Sequence, residues 1–427
     1  MKKILTLVGV SLLSVAACKS DGGGGDKKGG NGGGNEGGSA GDGAGGSAGE
    51  GGSGTGGKAT GGSGGKATGG AGGTSTGGAG GTSTGGAGGT STGGTGGGGT
   101  GGTAVSYPVG SLAAKICNPA TVYPAPFAAA GIDATLVKDG FKGAEGPVWV
   151  DADKALYFSE INRGNGTDFS TAGSTTIQKY TPANNMFVVW VAASGSNGLA
   201  LDKDGTSILA ATHDQQDVSA FKLSDKARTN KGFKFENNKF NAPNDITVRS
   251  DGTIYFTDPS WQIGSRSPTQ TFDAAYRATP QGVVSAVKDN SLNDIGKPNG
   301  ITLSPDEKTL YVGGNVRAIH KFAVNTDGST GTMAKFADLS TAAGGYSDGM
   351  AVDCAGNLYV TSNKGVEVFD KTGKAIGIIA TKKGAQACSA SNVAFGDEDH
   401  KTLYITVEGC NQKALYKATL AVPGMPY

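Results

Sequence analysis

The chain has 427 residues and 78 glycines, and 45 of those glycines fall within residues 19–104. Because that segment cannot bury enough apolar surface to offset its chain entropy, we expect it to lie outside any folded core. Residues 105–427 carry 30 Lys and Arg against 31 Asp and Glu, a balance that argues against nucleic acid as a partner. Their length favours one large β domain built from repeats.

The N-terminus carries the signals of an exported protein. Two lysines precede an apolar run of about 14 residues from Ile4 to Ala17, which is too short to span a bilayer and is typical of a signal peptide. Val15-Ala-Ala-Cys18 resembles the bacterial lipobox, in which the cysteine is acylated, so residues 1–18 are interpreted as a lipoprotein signal. An ordinary signal peptide is the alternative. Acyl chains on Cys18 would anchor the protein to a membrane, and Lys19 favours the outer membrane.

Residues 19–104 are interpreted as a linker. Three copies of Ala-Gly-Gly-Thr-Ser-Thr-Gly-Gly start at Ala71, Ala79 and Ala87. Glycine with small hydroxyl residues gives a flexible coil with a root-mean-square reach of roughly 50 Å. A repetitive adhesin segment is the alternative interpretation. The prediction is therefore a tether, followed by an N-terminal extension (residues 105–133) and a folded domain (residues 134–427).

Four cysteines remain after Cys18, an even number that predicts disulfides in an exported chain. Cys388 and Cys410 flank a predicted hairpin at similar distances from its turn, which would bring their Cα atoms within disulfide range. Cys117 and Cys354 then pair by elimination. The spacing lacks the paired cysteines of a zinc site.

A repeat organises residues 140–420. Each copy has a polar residue, a short apolar strand, a turn and a second strand centred on Tyr or Leu. The six copies begin at Glu145, Asn197, Asn244, Asn299, Asp348 and Ser391. Their spacing of 43 to 55 residues fits one four-stranded antiparallel blade each, so the predicted fold is an all-β, six-bladed β-propeller. Ala134-Thr-Leu-Val is predicted to close it beside the last strand, Ala414-Leu-Tyr-Lys-Ala-Thr-Leu.

The polar residue that opens each repeat precedes the innermost strand, so the six should form a ring at one end of the central channel. Two carboxylates and three amide oxygens in such a ring suit a hard divalent cation. The second strand of each blade ends at the same face. It would place four further side chains nearby: Glu160, His213, Asp258 and Asn315. An ordinary turn cap is the alternative for each ring residue, although turn chemistry does not require Glu145 before Gly-Pro.

Several segments resemble the gluconolactonase/regucalcin family of six-bladed propellers. The matching segments are Glu145-Gly-Pro-Val-Trp, Tyr157-Phe-Ser-Glu-Ile, Asn241-Ala-Pro-Asn-Asp-Ile, Tyr255-Phe-Thr-Asp-Pro, Lys297-Pro-Asn-Gly-Ile-Thr-Leu-Ser-Pro-Asp-Glu-Lys-Thr-Leu-Tyr-Val, Ser347-Asp-Gly-Met-Ala-Val-Asp and Asn392-Val-Ala-Phe-Gly. The resemblance covers about 280 residues in order. It implies that Glu145, Asn299 and Asp348 hold a divalent metal, commonly Ca²⁺, and that Asn244 contacts substrate or a metal-bound water. Zn²⁺, Mn²⁺ and Mg²⁺ are the alternative ions.

The resemblance also implies lactone hydrolysis, with a small-molecule sugar lactone as substrate and Asp348 as both metal ligand and base. His213 is the alternative base, and Asn197, Glu160 and Asp258 are candidate substrate contacts beside Asn244. Two departures from the family pattern weigh against a definite sugar specificity. His213 is followed by Asp-Gln-Gln-Asp instead of a Gly-x-Arg-Arg motif, and Ala242 replaces an arginine of the animal members.

Two other functions remain open at this stage. The propeller could be a surface module that holds a glycan or a protein around a structural metal, or a hydrolase acting on phosphotriesters or larger lactones. In either case we expect a monomer that is tethered to a membrane through Cys18.

Overall fold

Six small, mainly antiparallel sheets surround a central channel in the computed structural model, which describes residues 106–128, 130–164, 167–289, 295–340 and 345–427. The innermost strand of each sheet contacts the innermost strands of the preceding and following sheets, and the last contacts the first. This is the predicted six-bladed propeller. The predicted signal peptide, Cys18 and the tether lie outside the described residues. Among the described helices, none is long and apolar enough to cross a membrane.

The elements follow one another as inner-to-outer meanders. Before the first blade lie α1 (Leu112–Ile116), β1 (Gly131–Asp133) and β2 (Thr135–Asp139). Blade one contains β3 (Ala144–Val150), β4 (Ala155–Ile161), β5 (Thr175–Thr181) and β6 (Met186–Val191). Blade two contains β7 (Ser196–Leu201), β8 (Ser207–Thr212), β9 (Asp217–Lys222) and β10 (Arg228–Asn230). Blade three contains β11 (Ile246–Val248), β12 (Ile254–Asp258), β13 (Ala274–Ala278) and β14 (Val284–Asp289).

The second half repeats this plan. Blade four contains β15 (Pro298–Leu303), β16 (Thr309–Gly314), β17 (Ala318–Val324) and β18 (Thr330–Asp338). Blade five contains β19 (Met350–Val352), β20 (Leu358–Ser362), β21 (Gly365–Phe369) and β22 (Ala375–Ala380). A hairpin of β23 (Lys382–Lys383) and β24 (Gln386–Ala387) leads to blade six, with β25 (Ala390–Gly396), β26 (Thr402–Val407) and β27 (Ala414–Thr419). In the described part of the chain, three 3₁₀ turns occupy Asp151–Asp153, Ala172–Ser174 and Pro182–Asn184.

The N-terminal strands join the ends of the propeller. β2 pairs antiparallel with β27, with Thr135 opposite Lys417, and becomes the outer strand of blade six as predicted. β1 does something that the repeat did not predict, because it adds to blade five as a fifth, parallel strand beside β22. The segment just before the first blade therefore covers the edges of two neighbouring blades, which removes exposed strand edges.

Two disulfides confirm both predicted pairings. Cys117 joins Cys354 with a Cα separation of 5.4 Å, which attaches the end of α1 to blade five. Cys388 joins Cys410 at 5.2 Å and so spans the inner hairpin of blade six.

Glycine follows the opening polar residue in four of the six repeats, and the packing of the inner strands explains why. A Cβ on Gly198 would lie 2.5 Å from Asp245 Oδ1, and one on Gly300 would collide with the carbonyl oxygen of Asp348. The other two repeats carry Asp245 and Asn392 at this position, and their side chains meet with Asn392 Nδ2 3.4 Å from Asp245 Oδ1. The small residues therefore let the inner strands approach one another closely around the contact between Asp245 and Asn392.

The C-terminal tail covers the end of the channel opposite the ring. Trp149 N donates to Pro426 O at 3.0 Å, and Phe395 N donates to Met425 O at 3.1 Å. Tyr427 then reaches blade three, where its hydroxyl donates to Val248 O at 2.7 Å. Met425 N also donates to Val352 O of blade five at 2.9 Å, so the tail connects four blades at the face where the inner strands end.

Candidate active site

A cavity of about 370 Å³ opens at the ring end of the propeller. Five of the six ring residues line it: Glu145, Asn244, Asn299, Asp348 and Ser391. The sequence analysis also placed Asn315 there, and it contributes to the wall. Five further side chains complete most of the lining: Arg163, Trp261, Gln262, Tyr346 and Glu408.

Hydroxyl groups from the second strands hold the backbone of the ring. Ser159 donates to the carbonyl of Asn197 at 2.6 Å, and Thr257 donates to that of Asn299 at 2.6 Å. Thr361 in blade five donates in the same way to the carbonyl of Ser391 at 3.0 Å. Each hydroxyl bridges from its own blade to the next, so the ring residues have fixed positions before any ligand arrives.

Glu145 and Asp348 place two carboxyl groups of like charge near one another in the cavity. Glu145 is only 5% exposed, and Asp348 is partly buried. Burial raises the pKa of Glu145 well above its usual range, and the nearby carboxylates of Asp348 and Glu408 raise it further. Burial, then Glu408 and Asp245, raises the pKa of Asp348 in the same direction. A positive charge bound between these groups would relieve the repulsion.

Asn299 completes a set of oxygen donors suited to a cation. Its side chain forms a hydrogen bond with Asp348 that lowers the pKa of that carboxyl group. Its Oδ1 is buried and has no hydrogen-bond partner within the described residues, so an oxygen donor is available. In the described part of the chain, no group of three or more His, Cys, Asp or Glu side chains is arranged to hold a metal. The amide oxygen of Asn299 could therefore serve as a cation ligand beside the carboxylates of Glu145 and Asp348.

The two asparagines of blades two and three share a partner that the sequence analysis missed. Gln262 Oε1 accepts hydrogen bonds from Asn197 Nδ2 at 3.3 Å and from Asn244 Nδ2 at 3.2 Å. Asn244 lines the cavity, whereas Asn197 lies behind it and is 1% exposed. Gln262 thereby fixes the orientation of Asn244 at the cavity wall.

Three other predicted side chains do not line the cavity. His213 is fully buried, its Nε2 lies 3.4 Å from Asn197 Nδ2, and burial lowers its pKa to about 3. Glu160 accepts hydrogen bonds from Lys142 N at 3.0 Å and Gln178 Nε2 at 2.6 Å. Asp258 is fully buried and accepts the backbone N–H groups of Asn241 and Ala242. Its place is beneath the loop that carries Asn244.

Arg163 and Glu408 were not predicted, although the sequence contained a signal for both. Arg163 comes soon after β4 and Glu408 directly after β26. Since the second strand of every blade ends at the ring face, the argument that selected Glu160 and Asn315 applies equally to these two positions. Trp261 and Gln262 lie on the loop after β12, which carried no recognisable motif.

Comparison with protein families assigns most of the propeller to one family. Residues 143–409, more than half of the chain, match the family described as the SMP-30/Gluconolactonase/LRE-like region. The chain belongs to this family. All residues that line the cavity fall inside the matched segment.

Relatives of this family member include lactone hydrolases. A gluconolactonase from Zymomonas mobilis is 25% identical over 298 residues, which cover 64% of this chain and 78% of the relative. The pentonolactonase XacC of Haloferax volcanii is 25% identical over 279 residues, covering 62% and 81% of the two chains. A solved gluconolactonase from Xanthomonas campestris superimposes with a TM-score of 0.55 at 27% identity, covering 67% and 88%. A calcium-binding regucalcin from Agrobacterium tumefaciens shares the fold, with a TM-score of 0.54 at 18% identity, covering 70% and 98%.

Proposed function

We propose that this protein is a divalent-cation-dependent hydrolase that opens a sugar lactone. The observation that carries the proposal is the convergence of Glu145, Asn299 and Asp348 in one cavity, with an unpartnered amide oxygen and two crowded carboxylates. Oxygen donors of this kind are those that Ca²⁺ prefers, with Mg²⁺ and Mn²⁺ as alternatives. The gluconolactonase and pentonolactonase relatives support lactones as the substrate class.

A cation in this site would polarise the lactone carbonyl and stabilise the negative charge that develops on its oxygen. The chain's own residues would supply the proton transfers. Asp348 would accept a proton from the attacking water as the new C–O bond forms, and would return it to the ring oxygen as the ring C–O bond breaks. Asn244, held by Gln262 at 3.2 Å, would contact the substrate or the water. His213 has no part in this scheme, because it lies outside the cavity lining.

A hydrolysis screen with and without a chelator tests the proposal. We expect the purified protein to hydrolyse glucono-δ-lactone above the spontaneous rate, to lose that activity in excess EDTA, and to regain it when Ca²⁺ or Mn²⁺ is restored. Circular dichroism in EDTA should show an intact fold, because no strand or helix is held in place by the cavity residues alone. A folded protein that is inert with every cation tested would contradict the proposal and favour a binding module.

A further inference from the structure

An ion pair that belongs to neither the ring nor the predicted ligand set lies in the cavity wall. Arg163 Nε lies 2.8 Å from Glu408 Oε1 and 2.7 Å from Oε2. Arg163 Nη2 also lies 3.4 Å from Glu145 Oε1, a longer and weaker contact. The two side chains remain 28% and 18% exposed, and both line the cavity. A ligand in the cavity can therefore reach them.

The surrounding backbone is shaped to hold this pair. A Cβ on Gly143 would lie 2.6 Å from Ile161 O, 2.9 Å from Glu408 Oε1 and 3.1 Å from Arg163 Cγ. A larger residue at position 143 would collide with the backbone of Ile161 and crowd both side chains of the pair. Lys413 Nζ donates to the backbone carbonyl of Glu408 at 2.8 Å and fixes the segment from the other side. The pair is thus a built feature of the wall.

We propose that Arg163 and Glu408 bind the hydroxyl groups of the substrate and select polyhydroxylated lactones over lactones without hydroxyl groups. The proposal rests on the lactonase function above. A guanidinium group can only donate hydrogen bonds and a carboxylate can only accept them, whereas a hydroxyl group does both. Side by side, the two groups match vicinal hydroxyls, and their opposite charges add no net charge that would favour an anionic ligand. Trp261, 39% exposed in the same wall, offers an apolar face for the sugar ring.

The test compares two substrates that share a six-membered lactone ring: glucono-δ-lactone and δ-valerolactone, which has no hydroxyl groups. For Arg163→Met we expect kcat/KM for gluconolactone, corrected for spontaneous hydrolysis, to fall roughly 10- to 100-fold, chiefly through KM. The value for δ-valerolactone should stay within about threefold of wild type. Glu408→Gln should reduce the selectivity in the same direction, and it serves as the second variant should Arg163→Met fail to fold.

A matched control variant and a binding measurement distinguish substrate recognition by Arg163 from a purely structural role of this side chain. Arg228 is a partly buried arginine paired with Asp214 at 2.8 Å outside the cavity lining, so Arg228→Met should leave selectivity unchanged. Calorimetric Ca²⁺ affinity of Arg163→Met should equal or exceed that of wild type, because a positive charge beside Glu145 is removed.

Equal losses for both lactones, or a loss of Ca²⁺ affinity together with activity, would show that Arg163 merely orders Glu145 and would overturn the inference. Unchanged selectivity in both variants would overturn it as well while leaving the lactonase proposal in place. A wild-type protein that hydrolyses neither lactone would overturn the proposed function itself, and this inference with it.

Discussion

The glycines beside the ring residues determine how closely the inner strands approach. A Cβ on Gly300 would collide with the backbone of Asp348, which cannot move away without displacing a proposed metal ligand. We therefore expect Gly300→Ala to destabilise the fold by about 1–3 kcal/mol, as overpacking of a dense interior does, and to lower activity. Urea-induced unfolding measures the first effect.

Gly331→Ala is the matched control for this substitution. A Cβ at position 331 would make an ordinary contact 3.6 Å from Ala323 Cβ, on the exposed outer strand β18. Its unfolding midpoint should therefore remain close to that of wild type. Equal losses from the two substitutions would contradict the packing argument.

His213 makes a prediction about pH. Burial, followed by the charges of Arg163 and Arg266, lowers its pKa to about 3 in the folded protein, against about 6.5 in an unfolded chain. The unfolded chain therefore binds a proton that the folded protein excludes, and stability falls as the pH drops from about 6.5 toward 3. In His213→Gln the decrease in unfolding free energy between pH 7 and 4.5 should be smaller by about 2 kcal/mol.

The same variant tests the role of His213 in catalysis. Because His213 does not line the cavity, we expect His213→Gln to keep the kcat of wild type and its dependence on pH. If the unfolding free energy of His213→Gln varied with pH in parallel with that of wild type, the interpretation of His213 as a buried, neutral side chain would be contradicted. Loss of the acidic limb of the kcat profile, where a general base becomes protonated, would instead identify His213 as the base.

At the scale of single residues, the sequence predicted the ring better than the cavity wall. Glu145, Asn299 and Asp348 each open a repeat, so their position follows from the period alone. Arg163 and Gln262 lie on loops whose length and sequence differ from blade to blade. The repeat therefore does not predict where their side chains point. Glu160 and His213 show the same limit, because the end of a strand gives the face of the propeller but not the direction of a side chain.

Among the elements, the hairpin of blade six links fold and site most directly. The Cys388–Cys410 disulfide spans β25 and β26, and the cavity-lining residues Ser391 and Glu408 lie just inside it. Replacing both cysteines with serine should reduce the unfolding free energy by about 3 kcal/mol in the chain-entropy model and should lower activity. Equilibrium unfolding without reductant, together with the initial rate, measures both effects.

The Cys117–Cys354 disulfide is the comparison for this prediction. It closes a sequence separation of 237 residues against 22, so its removal should cost more stability in the same model. It borders none of the cavity residues, so the initial rate of the folded protein should stay at the wild-type value. If loss of the Cys117–Cys354 disulfide lowered the initial rate and loss of the Cys388–Cys410 disulfide did not, the proposed link between the blade-six hairpin and the cavity would be contradicted.

The strands show how far a repeat predicts a fold. Alternating apolar and small residues gave the inner two strands of every blade and the closing partner β2. The parallel addition of β1 to blade five was not predicted, because a three-residue strand carries too few alternations to define a period. The short β23–β24 hairpin was missed for the same reason.

For the whole molecule, the central expectation is that anchoring and catalysis are separable. A chain beginning at Ser106 keeps Cys117, β1, β2 and every residue that lines the cavity. We expect it to fold, to bind Ca²⁺ and to retain the catalytic rate of the full chain. Loss of lactone hydrolysis by a folded truncated protein would assign the glycine-rich segment a role in the site.

The proposed anchor is tested in the full chain. If Cys18 is acylated, wild type should fractionate with outer membranes, and Cys18→Ala should be released into the soluble fraction with its activity intact. A Cys18→Ala protein that still sediments with membranes would contradict the lipoprotein proposal.

Calorimetric titration of Ca²⁺ into the metal-free protein, paired with lactone hydrolysis, tests the central claim most directly. Asp348→Asn keeps the size of the side chain but removes a ligand charge and the proposed base, and Asp338→Asn makes the same change on an exposed outer strand. We predict that Asp348→Asn stays folded, binds Ca²⁺ at least tenfold more weakly and loses hydrolysis, while Asp338→Asn matches wild type in both measurements. Undiminished hydrolysis by Asp348→Asn would contradict the account.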